Sequence, residues 1–450
     1  MLALLAAMLV YPAIVMAHAK LLRSNPAAGA SLAAPPAMVH LVFSERPSVA
    51  LSSLKLVGAN GDTIVLTGLR SEPDDKNTLV ADVPSNVGGG KWRIVWRVAA
   101  SDGHPKIGTI DFTILGQAVA APVAVDTSPP QSSATTALTP DTEEGQPMAI
   151  GGALGTIGAK WLSFLAIFAL IGVVAFKFGV LNRMGASDAD TFGQIASTNA
   201  AALGMGASGA VLVAAALKLA KESSTMPDVP ISTMLFESAW GLAIFLEMIA
   251  AVAAAVAFRA AHSANGSSRA TGWRAAQVAA LVLAVTPALS GHAASTQPVF
   301  VSVVADMIHV LAGSVWLGTL GVIVVVGISA ALKTPDATRP GARVASLINT
   351  FSPMALICGG LVVSTGVIAA LFHLPHVRAL WTTPYGVALS LKLLFVLFLF
   401  GAGAWNWRRM KPRLTGDNAV VPMRSMATFE LLLATIVLGI TAILVALELP

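Results

Sequence analysis

The chain has 450 residues, of which 55% are hydrophobic and 11% charged, with a mean hydropathy of +0.75. Soluble globular domains carry about 25% charged residues, so this composition excludes a wholly soluble protein and places much of the chain in a membrane. The net charge of +5 is unevenly divided: residues 18–150 hold 10 Lys and Arg against 12 Asp and Glu, net −2, and residues 151–450 hold 18 against 11, net +7.

The basic excess thus belongs to short loops between apolar segments and does not signal nucleic acid. A single cysteine, Cys358, excludes an internal disulfide and any four-thiolate zinc or iron–sulfur site. Metal chemistry here falls to His, Met, carboxylate and amine ligands.

Residues 1–17 are apolar and end Val15-Met16-Ala17, small or modest side chains of the kind signal peptidase reads, so they read as a secretory signal peptide. No Lys or Arg precedes the apolar run, a departure from the usual pattern. Residues 18–116 read as an all-β sandwich. In Lys91–Ala100, Trp92, Ile94, Trp96 and Val98 alternate with polar residues, and Ile110, Phe112 and Ile114 share one face of a second strand. Val39, Leu41 and Phe43 mark a third, and Leu51–Leu56 and Thr63–Thr67 flank a Gly58–Asp62 turn that signals a hairpin. Residues 117–150, rich in Ala, Pro, Ser and Thr without periodicity, read as a linker.

Residues 151–450 read as an all-α polytopic domain of eight transmembrane helices, near 161–181, 200–220, 239–257, 273–289, 301–331, 348–372, 386–407 and 426–447. With the β domain outside, thirteen Lys and Arg fall at inner ends, and four (Lys160, Lys218, Lys221, Arg378) at outer ends. That bias agrees with an export signal and puts both the N-terminal domain and the C-terminus in the periplasm of a bacterial inner (cytoplasmic) membrane.

Cleavage after Ala17 exposes His18, whose α-amine and imidazole can chelate one metal when both are deprotonated. Ser101-Asp102-Gly103-His104-Pro105 is a tight turn between the two clearest strands, and residues two apart in an extended segment point the same way, so Asp102 and His104 can face one site. Nitrogens with one carboxylate, and neither thiolate nor a Met cluster, favour Cu(II). Asp-Gly-His-Pro alone is an ordinary turn sequence; the case rests on the two segments supplying complementary ligands.

At this point the sequence resembles a known family. His18-Ala19-Lys20-Leu21-Leu22, Ser24-Asn25-Pro26-Ala27, Phe43-Ser44-Glu45 and Ser101-Asp102-Gly103-His104-Pro105 followed by Gly108 and Phe112 resemble CopC, a periplasmic copper-binding sandwich of Ig- or cupredoxin-like Greek-key type. The eight-helix remainder resembles CopD, and such fusions occur among copper-uptake proteins. The resemblance implies Cu(II) ligands at His18, Asp102 and His104. It also implies that the second, Met-rich Cu(I) site of some CopC proteins is missing, since Met38 stands alone. His40 lies out of phase with the core residues and reads as a surface histidine without a partner.

In the membrane half, ionisable residues in apolar company are functional candidates because burial costs several kcal/mol without a partner or a polar cavity. Asp306, His309, Gly313 and Trp316 form one helical stripe, and the His and Trp-x-Gly resemble a CopD signature, as does Ser290-Gly291-His292-Ala293-Ala294. With His373 and His376 these suggest a metal path from the outer side. Glu247, expected to bind a cation, relay protons or pair with Lys392, and Cys358 lie deeper, and Glu430 is expected to snorkel to the inner surface.

No phosphate-binding loop or phosphorylation motif appears, so no nucleotide drives the protein directly. The reading is a copper-binding membrane transport protein, not an enzyme, with copper and the lipid bilayer as partners and a periplasmic chaperone or reductase as a candidate third. Cu(II) is expected at the outer domain, and either oxidation state in the membrane. Competing readings are sequestration without transport, a b-type haem or quinone carrier using His292 and His309, and a copper-brace oxidative enzyme at His18.

Overall fold

A computed structural model describes residues 20–44, 46–99, 105–115, 150–186, 190–291, 298–334, 340–374, 376–410 and 420–447. The chain divides into two compact units, a β domain and a helical domain.

The β domain is a sandwich of two sheets. One has the order β1 (Leu21–Asn25), β3 (Met38–Phe43), β7 (Thr78–Asp82), β6 (Thr67–Ser71), all antiparallel. The other has the order β2 (Ser31–Leu32), β9 (Pro105–Ile114), β8 (Gly90–Ala99), β4 (Ser53–Gly58), β5 (Thr63–Val65), with β2 parallel to β9. The alternations seen in the sequence point inward: Val39, Leu41 and Phe43 meet Ile94, Trp96, Val98, Ile110, Phe112 and Ile114 in the buried layer. Phe43 meets Trp96 edge to face at 5.5 Å. Gly108 pairs with Trp96 across the β8–β9 ladder, and the indole occupies the space a Cβ at 108 would need. The expected hairpin is present, with Leu56 opposite Ile64. His40 is not partnerless as expected, because its Nδ1 lies 3.5 Å from the Glu72 carboxylate.

The helical domain has eight helices long and apolar enough to cross a membrane: α1 (Leu154–Leu181), α2 (Thr191–Thr225), α3 (Ala239–Ala261), α4 (Gly266–Leu289), α5 (Val299–Lys333), α6 (Gly341–His373), α7 (Pro384–Arg408) and α8 (Met423–Leu444). Small residues set the closest crossings. A Cβ on Gly172 of α1 would strike the Gly318 backbone of α5, and one on Gly272 of α4 would strike the Ala257 and Ala261 backbone of α3. The long α5 contains two π-turns, Ser314–Gly318 and Ile323–Gly327, and the first includes the Gly318 crossing. Three lysines placed at helix ends by the orientation count are drawn into the domain. Lys177 lies over the Trp273 ring at 5.8 Å, Lys160 donates to the Val445 carbonyl at 3.0 Å, and Lys218 is buried in an ion pair. Their long stems let a basic group sit near an interface while bonding inward.

Candidate functional site

His18, Asp102, His104 and His292 lie outside the described residues. The described residues beside the first three nevertheless share one anchor. Lys20 donates its amide to Ser44 Oγ at 2.9 Å and accepts from the Ser44 amide at 2.8 Å. Ala99, the last residue of β8, accepts from the Ser48 amide at 2.8 Å and pairs with Pro105, the first of β9. Both flanks are therefore tied to the short stretch Ser44–Ser48 at one end of the sandwich. Six pairs further along, Arg93 Nε and Nη2 grip Asp111 at 2.6 and 3.1 Å across the same β8–β9 ladder. Each shifts the other: the guanidinium holds the Asp111 carboxyl below its ordinary range, and the carboxylate raises Arg93.

In the helical domain, the membrane candidates separate into distinct groups. Glu247 of α3, 2% exposed, does not pair with Lys392. Its Oε2 accepts from Lys218 Nζ of α2, 2.6 Å away, and its Oε1 from Ser163 Oγ of α1 at 2.8 Å. The carboxylate is saturated by a cation and a hydroxyl, which fits a closed internal ion pair better than an open metal ligand. Sequence reading missed Lys218 because a lysine near a helix end looks interfacial.

Asp306 and His309 share the α5 stripe as expected. His309 Nδ1 lies 2.9 Å from Thr365 Oγ1 of α6, and that hydroxyl donates its one proton to the Leu361 carbonyl at 2.6 Å. Thr365 can then only accept from the imidazole, so Nδ1 carries the proton and Nε2 presents its lone pair. Further out on α6, His373 Nδ1 meets the Tyr385 hydroxyl of α7 at 3.1 Å, while its Nε2 is buried without a hydrogen-bond partner among the described residues. Below His309, Trp316 packs on Phe400 of α7 with ring centroids 5.0 Å apart, over Gly359 and beside the buried Cys358. His376 is exposed in the turn before the short helix Ala379–Thr382 and joins neither group. Glu430 does not snorkel: it is 5% exposed and accepts from Asn406 Nδ2 at 3.0 Å, since α7 supplies an amide partner inside the bundle. No three His, Cys, Asp or Glu side chains among the described residues gather closely enough to hold a metal ion by themselves.

Comparison with known proteins places both halves. The family model for the CopC domain matches residues 21–115, that for the copper resistance protein D-like N-terminal domain matches 151–300, and that for copper resistance protein D matches 345–444. The copper transport protein CutJ of Bacillus subtilis is 25% identical over 406 residues, 89% of this chain and 70% of its own length. Copper resistance protein C of Pseudomonas syringae pv. tomato is 34% identical over 116 residues, 25% of this chain and 91% of its own. Among solved structures, CopC from Methylosinus trichosporium OB3b is similar at 28% identity, covering 23% of this chain and 100% of that one, with a TM-score of 0.21. With sandwich and helices each matched by copper resistance models, the chain belongs to the copper resistance proteins and joins a CopC domain to a CopD domain in one polypeptide.

Proposed function

We propose that this membrane protein captures Cu(II) outside the cytoplasmic membrane and passes copper inward. His18, through its amine and imidazole, and Asp102 and His104 form the capture site. The observation that carries this reading is the shared anchor: the flanks of both ligand segments, Lys20 and Ala99, are bonded to Ser44–Ser48. Two nitrogens on one residue, a third from His104 and a carboxylate suit Cu(II), and copper leads the divalent affinity order. From there His373 and His309 provide imidazoles in order of depth along the helical domain, with His292 a further candidate. The reading contains no catalytic step and needs no nucleotide; an outer chaperone supplies copper, or a reductase converts it.

The test is a Cu(II) titration of the purified full chain. His104→Ala, or one extra residue before His18, is expected to weaken Cu(II) binding by at least a hundredfold. Unchanged affinity in both variants removes the assignment. Copper accumulation in cells with and without the protein gives the direction; a fall in cell copper on expression overturns import. A Soret band at stoichiometric haem would replace transport with electron transfer.

A further inference from the structure

The helical domain repeats itself. Ala159-Lys160-Trp161-Leu162-Ser163-Phe164-Leu165-Ala166 of α1 aligns with Ala305-Asp306-Met307-Ile308-His309-Val310-Leu311-Ala312 of α5, an offset of 146. Leu235-Phe236-Glu237-Ser238-Ala239-Trp240-Gly241, leading into α3, aligns with Leu380-Trp381-Thr382-Thr383-Pro384-Tyr385-Gly386, leading into α7, an offset of 145.

The local structures match in detail. A short helix precedes each, Ile231–Phe236 in one case and Ala379–Thr382 in the other. Ser238 Oγ accepts from the Gly241 amide at 2.9 Å, and Thr383 Oγ1 from the Gly386 amide at 3.0 Å. A Cβ on Gly241 would strike the Met234 carbonyl, and one on Gly386 the equivalent Ala379 carbonyl. Four helices per unit give both units the same orientation, so α1–α4 and α5–α8 are tandem copies rather than inverted ones.

The repeat makes equivalent positions comparable, and their chemistry differs in a definite way. Glu247 of α3 corresponds to Lys392 of α7, Lys160 of α1 to Asp306 of α5, and Ser163 to His309. Charge is inverted at two positions, and a metal ligand replaces a hydroxyl at the third. In the first unit the cluster is closed by Lys218. In the second, α6 carries no lysine, Trp316 of α5 packs on Phe400 of α7, and Lys392 and His309 occupy the positions that Glu247 and Ser163, hydrogen-bonded at 2.8 Å, hold in the first. Depth agrees: at about 1.5 Å per residue, Asp306 and Lys392 both sit roughly 10–12 Å from the outer ends of α5 and α7, with His309 one turn deeper.

We propose that Asp306, His309 and Lys392 form a station for a monovalent soft cation, Cu(I), in the second of the two repeats, and that Lys392 is the residue that excludes divalent ions. This rests on the copper-transport reading and specifies the ion it moves. With Lys392 charged and Asp306 ionised, the empty station is neutral. An arriving ion adds its whole charge to a region shielded from water, where the cost grows with the square of the charge, about fourfold more for a divalent ion. His309 Nε2 offers the bond that offsets the smaller cost, and the Trp316–Phe400 pair packs below it. The proposal requires an outer one-electron reductase, which gives up the electron that converts Cu(II) leaving the outer domain to Cu(I) before it enters.

The test is metal flux through the full chain in liposomes, with Cu(I), Ag(I) and Zn(II) as probes. Wild type is expected to carry Cu(I) and Ag(I) at least tenfold faster than Zn(II). Lys392→Gln leaves Asp306 uncompensated and is expected to raise Zn(II) flux at least tenfold. Lys392→Arg keeps the charge and the wild-type ratio, and Glu247→Gln in the closed repeat leaves that ratio within twofold of wild type. A Zn(II) to Cu(I) ratio in Lys392→Gln within twofold of wild type, or Lys392→Arg behaving as Lys392→Gln, overturns the filter while leaving transport standing. A wild type that carries none of the three ions overturns the transport reading and the filter together.

Discussion

At the scale of single residues, the β8–β9 ladder bears on capture because it carries Asp102 and His104 in its connection. Arg93–Asp111 holds the ladder's outer face, and its pH dependence has a definite sign. The folded carboxyl of Asp111 sits below its unfolded value near 3.9, so its contribution is present above that pH and is lost as pH falls through the folded value. Both side chains are more than half exposed, 55% and 63%, so the pair is worth less than about 1 kcal/mol. Asp111→Asn should therefore lower the thermal midpoint slightly at pH 7, with the difference vanishing as pH falls through the folded value. Gly108→Val belongs to a different class of effect. The added side chain meets the Trp96 indole inside the sandwich, an overpacking cost of about 1–3 kcal/mol, read by the same thermal unfolding.

At the scale of elements, sequence periodicity found what has one buried face and missed what does not. β3, β8 and β9 alternate and were legible. β7 was not, because Thr78 to Ala81 are all buried and leave no alternation to read. β1, β2 and β6 are short or irregular, with shifted registers in β1 and β6. The eight apolar helices were legible from length alone, but their partners were not. Glu247 finds Lys218 and Glu430 finds Asn406 on neighbouring helices, a pairing with no local signature in the sequence. A close helix crossing is testable. Gly318 touches the α1 backbone at Phe168 and Gly172, so Gly318→Val must force α1 and α5 apart, and its expected outcome is loss of monodisperse protein in detergent. Thr383→Val removes the α7 cap, about 1 kcal/mol, together with the hydroxyl's bond to the Ala379 carbonyl, and should yield folded protein with a lower thermal midpoint.

At the scale of the whole molecule, the proposed reading gives capture to residues flanking the β strands and passage to the helices, so mutations in the two sets should dissociate the two steps. His309 is held by Thr365 within the helical domain. His309→Ala removes the Nε2 lone pair and leaves the α5–α6 packing otherwise in place, because Thr365 retains its bond to the Leu361 carbonyl. The expected result is full Cu(II) affinity in titrations of the purified chain together with copper accumulation reduced at least fivefold in cells. His104→Ala should give the opposite partition at low external copper: weak Cu(II) binding, with accumulation restored when external copper is raised enough to load the helical domain directly. If His309→Ala cells accumulate copper normally, the imidazole serves packing alone, and the inward path must run through other residues of the second repeat. If raising copper fails to rescue His104→Ala, the capture domain does more than concentrate the ion, because mass action at the membrane would then not replace it.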